Sequence, residues 1–392
     1  MDIQNINKPK DESFHKKNDS TFSVLMIGTE RKIFEEGTWA RERILEYSSL
    51  IDNLHIIILT TNLKLEFQKI GNAFLHPTRS LSRWFYVFDA VRIGKKIIDE
   101  KGQWVIVTQD PFEAGLAGFL IKKKPGVELQ IQVHGDFLSP YFARESALNK
   151  IRLLLAKFLL PKADGIRVVS ERIKSSIISK FQNIQISKIA VLPIFVDVKK
   201  IQEGLIKINL HEKYPQFDFI ILMASRLAKV KNIDLAIEAM PEVIHKHPGT
   251  GLIIVGEGRE EKNLRLKVKN LKLFDNIIFE PWNNDLSSYY KTADLFLSTS
   301  NHEGYGMTSV EAMAGGCPLV MTDVGCAQEL VKNENNGLII PVGGKEELVK
   351  AILKITEEPS LREKIKNNGL ATVKNFLTKE EYLNSYKESW QL

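Results

Sequence analysis

The sequence is poor in cysteine, has no long uninterrupted apolar run, and carries none of the short acidic or histidine motifs that usually hold metal ions. Each absence removes a class of protein. Only two cysteines, Cys317 and Cys326, occur in 392 residues, without metal-ligand spacing, so neither a disulfide nor a zinc site is expected. Both lie beside apolar strand-like segments and read as small buried side chains of a reduced, cytosolic protein. The densest apolar stretch, residues 151–160, is interrupted by Arg152 and Lys157 and is too short to span a bilayer. The first 20 residues are polar, carry Lys8, Lys10, Lys16 and Lys17, and lack the apolar core of a signal peptide; residues 1–20 are expected to be a disordered leader. No D-x-D, H-x-x-x-H or H-E-x-x-H is found, so no metal is expected. RNP-type aromatic and basic interleaving, zinc-finger spacing and a zippered basic region are also missing, which argues against nucleic acid as a partner.

What is present is the composition of a globular chain, 44% apolar and 26% charged, with enough length for two domains. Short runs of Val, Ile and Leu alternate with segments of helical period, the pattern of parallel sheets covered by helices on both faces. In the first half the strand candidates are residues 22–27, 55–60, 104–108, 129–134, 165–169 and 189–192. In the second they are 219–224, 251–255, 276–279, 295–298, 318–322 and 337–340. The expectation is α/β, with two doubly wound Rossmann-like domains over residues 21–200 and 215–375. A Lys-rich linker lies at 196–215. A final segment, 376–392, carries Tyr382, Tyr386 and Trp390 at a spacing of four and is expected to cross back as a helix onto the first domain.

Charge is divided unequally. Residues 1–200 hold 31 Lys and Arg against 22 Asp and Glu, whereas the remainder is net negative by three. The basic half should therefore meet something anionic, and a membrane surface suits it best. Residues 144–160 have a helical period, with Leu148, Ile151, Leu155, Phe158 and Leu159 on one side and Lys150 and Lys157 on the other. That segment is either a helix lying on anionic headgroups or an ordinary core-packed helix with a solvated face.

The chemistry concentrates after the strand 295–298. There Glu303, Gly304, Tyr305 and Gly306 lead into a helix expected from Met307 to about residue 315. In doubly wound sheets such a strand-to-helix turn points free N–H groups at an anion. Thr308 and Ser309 lie in the first turn with hydroxyls able to face a phosphate, and the carboxylate of Glu311 can accept two hydrogen bonds from a ribose diol.

The string EGYGMTSVEAMAGG, continued by CPLVMTDVGCAQELV, resembles the E-x7-E signature of retaining glycosyltransferases of family 4, which have the GT-B fold. The resemblance implies two Rossmann-like domains facing across a cleft, with Glu303 on the donor-sugar hydroxyls and Glu311 on the ribose. It also places Gly304, Tyr305, Gly306, Met307 and Thr308 along sugar and pyrophosphate. Ser225-Arg226-Leu227 with Lys231 is similar to the family pattern G-R-L-x-x-x-K-G, departing at Ser225 and Asn232 but keeping both diphosphate cations. Gly256 belongs to a strand-end G-x-G turn. Trp282 sits where the family's backbone meets the base, and either packs near it or walls the crevice.

In the first domain His134 matches a histidine that contacts the donor sugar. Asp136 beside it, Gly37 and Thr38 after the first strand, and Asp110 are expected on the acceptor side. The implied enzyme is a metal-independent, retaining glycosyltransferase without a cofactor. It would move a sugar from a nucleoside-diphosphate sugar to a saccharide or lipid-linked acceptor in polysaccharide or glycolipid assembly. Its expected place is cytoplasmic, peripheral on the inner face of the membrane. A nucleotide-sugar epimerase of the same fold, or a non-catalytic saccharide-binding member, are the alternatives.

Overall fold

The computed structural model describes residues 22–98 and 102–391; the expected leader, residues 1–20, lies outside the described residues. Contacts divide the chain into two units, one reaching Pro193 and rejoined by Leu377–Leu392, the other Ile194–Phe376.

The first unit holds β1 (Ser23–Gly28), β2 (Leu54–Ile58), β3 (Gln68–Ile70), β4 (Ala73–Pro77), β5 (Trp104–Thr108), β6 (Val127–Val133), β7 (Gly165–Val168) and β8 (Ile189–Val191). They form one sheet in the order β3-β4-β2-β1-β5-β6-β7-β8, parallel except for β3 against β4. The second unit holds β9 (Phe219–Ala224), β10 (Thr250–Val255), β11 (Ile277–Glu280), β12 (Leu295–Ser298), β13 (Leu319–Thr322) and β14 (Leu338–Ile340). Its order is β11-β10-β9-β12-β13-β14, all parallel. Every residue of β9 and β10 is buried, as continuous apolar strands covered on both faces must be. In both sheets the chain first winds to one side, then returns to the other side of its first strand. The reversal falls between β1 and β5 in one unit and between β9 and β12 in the other.

The expected strands form to within two residues at their ends. The pair β3–β4 was not expected, because three-residue edge strand β3 and its partner present no long apolar run. The helix expected over 144–160 is two helices, Pro140–Glu145 and Ala147–Leu159. Ser146 between them is fully extended, and its side chain accepts from the Asn149 N–H, so it caps the second helix rather than continuing the first. Residues 196–215, expected as a weakly patterned linker, contain the helices Val198–Glu203 and Leu210–Lys213.

The final helix, Lys379–Ser389, starts at a capping box of Thr378 and Glu381 and belongs to the first unit. Its buried Tyr386 stacks on Tyr47 at 4.3 Å, and Trp390 packs edge-on to Tyr386. Cys317 and Cys326 are buried, and neither is in a disulfide. Among the described residues no helix is long and apolar enough to cross a membrane.

Candidate functional site

Ligands of doubly wound sheets bind beyond the carboxyl ends of the strands where the winding reverses. In the second unit that place is bounded by the loops after β9 and β12, and a small pocket there is lined by Ser225, Lys231, Thr299, Ser300 and Thr308. The two loops are stitched together. The Asn301 N–H donates to Val230 O at 2.8 Å, and the Thr299 hydroxyl donates toward Lys231 O and Asn232 O at 3.0 and 2.9 Å. Asn232 itself has φ 45° and ψ 44°, a left-handed conformation in which the resembling pattern has glycine. Asparagine is the non-glycine residue best suited to it, which explains why this departure leaves the loop intact.

On this frame Lys231 Nζ pairs with Glu303 Oε1, and the Ser300 hydroxyl donates to the same oxygen at 2.7 Å. The side chains of Lys231 and Glu303 are only 19% and 16% exposed, so the pair sits in a partly dehydrated recess. The helix Met307–Ala314 begins beside them. Its first residue follows Gly306 at φ 92°, a value costly for any side chain, and no side chain caps it. The Ser309 N–H already donates to Gly306 O at 3.0 Å, which leaves the Met307 and Thr308 amides of the first turn for a ligand, an arrangement suited to phosphate.

Thr308 lines the pocket. Ser309, expected beside it on the phosphate, is instead turned inward: it is buried, and its hydroxyl finds no partner among the described residues. The helix period places consecutive residues 100° apart, and here it turns Ser309 inward while Thr308 faces the pocket. Gly304 and Tyr305 are buried as well, and the Tyr305 carbonyl accepts from the Cys326 N–H at 2.8 Å. Tyr305 therefore shapes the turn from within, while Met307 is half-buried at the helix start.

Glu311 lies one turn into the helix. Its Oε2 accepts from the buried Tyr290 hydroxyl at 2.7 Å. Burial raises the pKa of this carboxyl above its ordinary value, and the tyrosine bond only partly opposes the rise. A diol donating two hydrogen bonds would stabilise its charged form.

Arg226 is exposed after β9. Its loop is held by the G-x-G turn: Leu227 N donates to Glu257 O at 2.9 Å, and a Cβ on Gly256 would lie 1.9 Å from Ser225 O. Only glycine allows that approach. Trp282 follows the edge strand β11, two strands from the reversal, and is 44% exposed with its indole N–H on Asn284 at 3.1 Å.

In the first unit His134 follows β6. Its Nε2 lies 3.1 Å from Gln109 Oε1 and 3.2 Å from Gln132 Oε1. Burial, with the Arg167 and Arg43 guanidiniums, pushes its pKa down to about 3, so the ring is neutral at neutral pH. Asp110, two residues after β5, accepts from the Phe112 and Ala114 N–H groups at 2.8 and 3.3 Å and so satisfies the start of the helix Glu113–Ile121. Burial pushes its pKa up to about 6. Asp136 accepts from Ser139 N at 3.1 Å, and Thr38 caps the helix Trp39–Ser48 after the left-handed Gly37. The structure thus gives Thr38, Asp110 and Asp136 turn-forming work that motif reading did not anticipate.

Motif reading also missed Gln109, Gln132, Arg167, Tyr290 and Ser300, which hold the singled-out residues in place. One signal was available: Gln130, Gln132 and His134 alternate on one face of a strand whose other face is Leu129, Ile131 and Val133.

With this geometry in hand, two family models match the chain. The one described as Glycosyltransferase Family 4 covers residues 52–200, and the one described as Glycosyl transferases group 1 covers residues 208–372. The chain is 29% identical over 178 residues to the poly(glycerol-phosphate) alpha-glucosyltransferase of Bacillus subtilis, an overlap of 45% of this chain and only 26% of that protein's length. It is 27% identical over 320 residues to the UDP-Gal:alpha-D-GlcNAc-diphosphoundecaprenol alpha-1,3-galactosyltransferase of Escherichia coli, covering 77% and 81% of the two chains. Among solved structures, sucrose-phosphate synthase from Thermosynechococcus elongatus superimposes with a TM-score of 0.80 at 18% identity, over 94% of this chain and 98% of that one.

Proposed function

Since the chain belongs to the family 4 glycosyltransferases of the GT-B fold, we propose that it transfers a sugar from a nucleoside-diphosphate sugar to a saccharide or lipid-linked acceptor in cell-envelope glycan assembly. The observation that carries this reading is the Lys231–Glu303–Ser300 cluster beside the uncapped start of the helix Met307–Ala314. A cation, a carboxylate and open amides stand together there, which is what a sugar joined to a diphosphate requires.

In the proposed reaction the bond between the anomeric carbon and the diphosphate oxygen breaks, and the electron pair stays on the leaving group. The oxygen of an acceptor hydroxyl forms the new bond with retention of configuration, and its proton passes to the departing diphosphate oxygen. Arg226, Lys231 and the helix amides take up the charge growing on the phosphate, the role otherwise filled by a metal ion. Such preorganised donors contribute on the order of 3 kcal/mol each to the transition state. Lys231 is lent to Glu303 before the donor binds and turns to phosphate afterwards. Glu303 then holds sugar hydroxyls, Glu311 holds the ribose, and neutral His134 meets a sugar hydroxyl.

The acceptor is proposed to be presented at an anionic membrane surface. On the helix Ala147–Leu159, Ile151 and Leu154 are 60% and 66% exposed, with Leu148, Phe158, Lys150 and Lys157 also exposed. On the helix Tyr86–Ile97 and the turn before it, Trp84 is 90% exposed and Phe88 67%, and Arg83, Lys95 and Lys96 are exposed as well. Both helices pack on the helix Glu113–Ile121, so these residues share one layer of the first unit. Apolar side chains left outward among basic ones match a surface that is oily within and negative at its rim.

The test is thermal shift with a panel of UDP-, GDP- and ADP-sugars. A ligand at a hundred times its Kd adds ~2.7 kcal/mol of stability. Product analysis with the stabilising donor and a lipid-linked saccharide acceptor follows. No shift with any nucleotide sugar refutes the donor site, and released but altered sugar without an acceptor refutes the transferase.

A further inference from the structure

The strand β6 buries two glutamines, Gln130 at 2% exposure and Gln132 at 0%, on the face that leads to His134. Buried amides are retained only where their polar groups are satisfied, and here the partners form a directed chain. The Gln130 amide nitrogen donates to the main-chain carbonyl of Ser389, on the last helix. Gln130 Oε1 accepts from Gln132 Nε2 at 3.0 Å. Gln132 Oε1 then faces two groups, Arg167 Nη1 at 3.1 Å and His134 Nε2 at 3.2 Å.

The direction of this chain leaves no choice. A main-chain carbonyl can only accept and a guanidinium can only donate, so both amides are held in one orientation from either end. Gln132 can therefore offer His134 nothing but an acceptor. Gln109 Oε1 lies 3.1 Å from the same nitrogen, but no second bond among the described residues holds that amide in one orientation, so it follows the tautomer that Gln132 sets. Arg167 is held in turn by Leu192 O at 3.0 Å and the Tyr382 hydroxyl at 3.3 Å, and lies 4.7 Å from the Tyr386 ring. The Tyr386 hydroxyl also reaches the Gln132 amide, 3.3 Å from its Nε2.

We propose that Gln132, clamped between Arg167 and the relay from the last helix through Gln130, is the positioning residue that fixes His134 as its Nε2–H tautomer and leaves Nδ1 as the ring's acceptor for a donor-sugar hydroxyl. The inference rests on the reading of His134 as a sugar contact. Charged and titratable groups around the ring act in the same sense. Burial, then Arg167 and Arg43, disfavour the imidazolium, which would lose the Nδ1 lone pair. At neutral pH His134 thus donates through Nε2–H to Gln132 and accepts at Nδ1, and it carries no second ring proton to give up.

The experiment uses the full chain labelled with 15N-histidine, with the His134 signals assigned by their loss in His134→Ala. Long-range proton–nitrogen correlation should show His134 as Nε2–H, unchanged between pH 8 and pH 5. Gln132→Met should convert it to a mixture of tautomers and lower kcat about tenfold, with less than a threefold change in donor KM. Gln132→Glu keeps an acceptor in place, so Nε2–H should persist. Its charge should raise the pH at which the ring protonates and move the acid limb of the kcat profile upward with it. Circular dichroism and Tm establish that each variant is folded, and Gln132→Glu decides the matter if Gln132→Met is not.

Retention of the pure Nε2–H signature in Gln132→Met, or an unmoved pH limb in Gln132→Glu, overturns the proposal. A changed tautomer with wild-type kcat overturns its catalytic half. Full activity in His134→Ala instead removes the reading of His134 as a sugar contact, and is seen separately because the tautomer is measured without turnover.

Discussion

Replacing Lys231 by Met tests the centre of the proposed site. The substitution keeps most of the apolar stem and removes the charge that pairs with Glu303. Loss of a partly exposed ion pair should cost about 1 kcal/mol of stability, the upper end for surface pairs. Glu303 retains the Ser300 hydroxyl and so does not become an orphan. The effect on catalysis should be far larger. Removing one preorganised donor to the developing phosphate charge costs about 3–4 kcal/mol, or 10²–10³ in kcat. Lys229, exposed two residues earlier, supplies the control, and Lys229→Met should stay within about threefold of wild type by the same scale of 1.4 kcal/mol per tenfold. The assay is release of the nucleoside diphosphate under saturating acceptor, with donor affinity measured separately by calorimetry. A threefold or smaller change in kcat/KM for Lys231→Met, with donor affinity intact, refutes the assignment of Lys231 to the leaving group. A parallel fall for Lys229→Met would show a diffuse electrostatic effect rather than a placed charge.

Three further outcomes are expected. Glu311→Gln should weaken donor binding about tenfold, since it removes the charge a ribose diol would stabilise, while leaving Tm nearly unchanged; calorimetry with nucleoside diphosphate and with the bare diphosphate separates a ribose effect from a phosphate one. Asn232→Val should lower stability by ~1–2 kcal/mol because a β-branched residue resists φ 45°, whereas Asn232→Gly should be near neutral, both read by urea unfolding. Asp110 has a folded pKa raised to about 6 from 3.8, so the fold favours its protonated form. Its contribution is complete below pH 3.8 and is lost as the pH rises through 6, and the shift corresponds to about 3 kcal/mol at most. Asp110→Asn should flatten that fall in Tm, and an unchanged slope would refute the burial of this carboxyl.

The alternation of apolar strands and helical segments was enough to predict two doubly wound sheets, because a fully buried parallel strand needs a continuous apolar run and β9 and β10 each have one. Arg226, Lys231, Glu303 and Glu311 were singled out with the help of the family resemblance, and they lie on short segments where a strand end and the first helix turn follow one another in the chain. Other features required the fold. The pairing of Lys231 with Glu303 spans 72 residues and arises because β9 and β12 become neighbours only when the winding reverses between them. The inward turn of Ser309 and the capping work of Asp110 depend on local geometry that a residue type does not reveal. His134 shows the division most clearly. Its place after a buried strand is a local property of the chain. Its tautomer depends on Gln132, Arg167 and a carbonyl at Ser389, on separate elements and as many as 255 positions away. Local sequence sets which backbone forms strand or helix, but the direction of a hydrogen bond is set by whatever the fold brings to its other end.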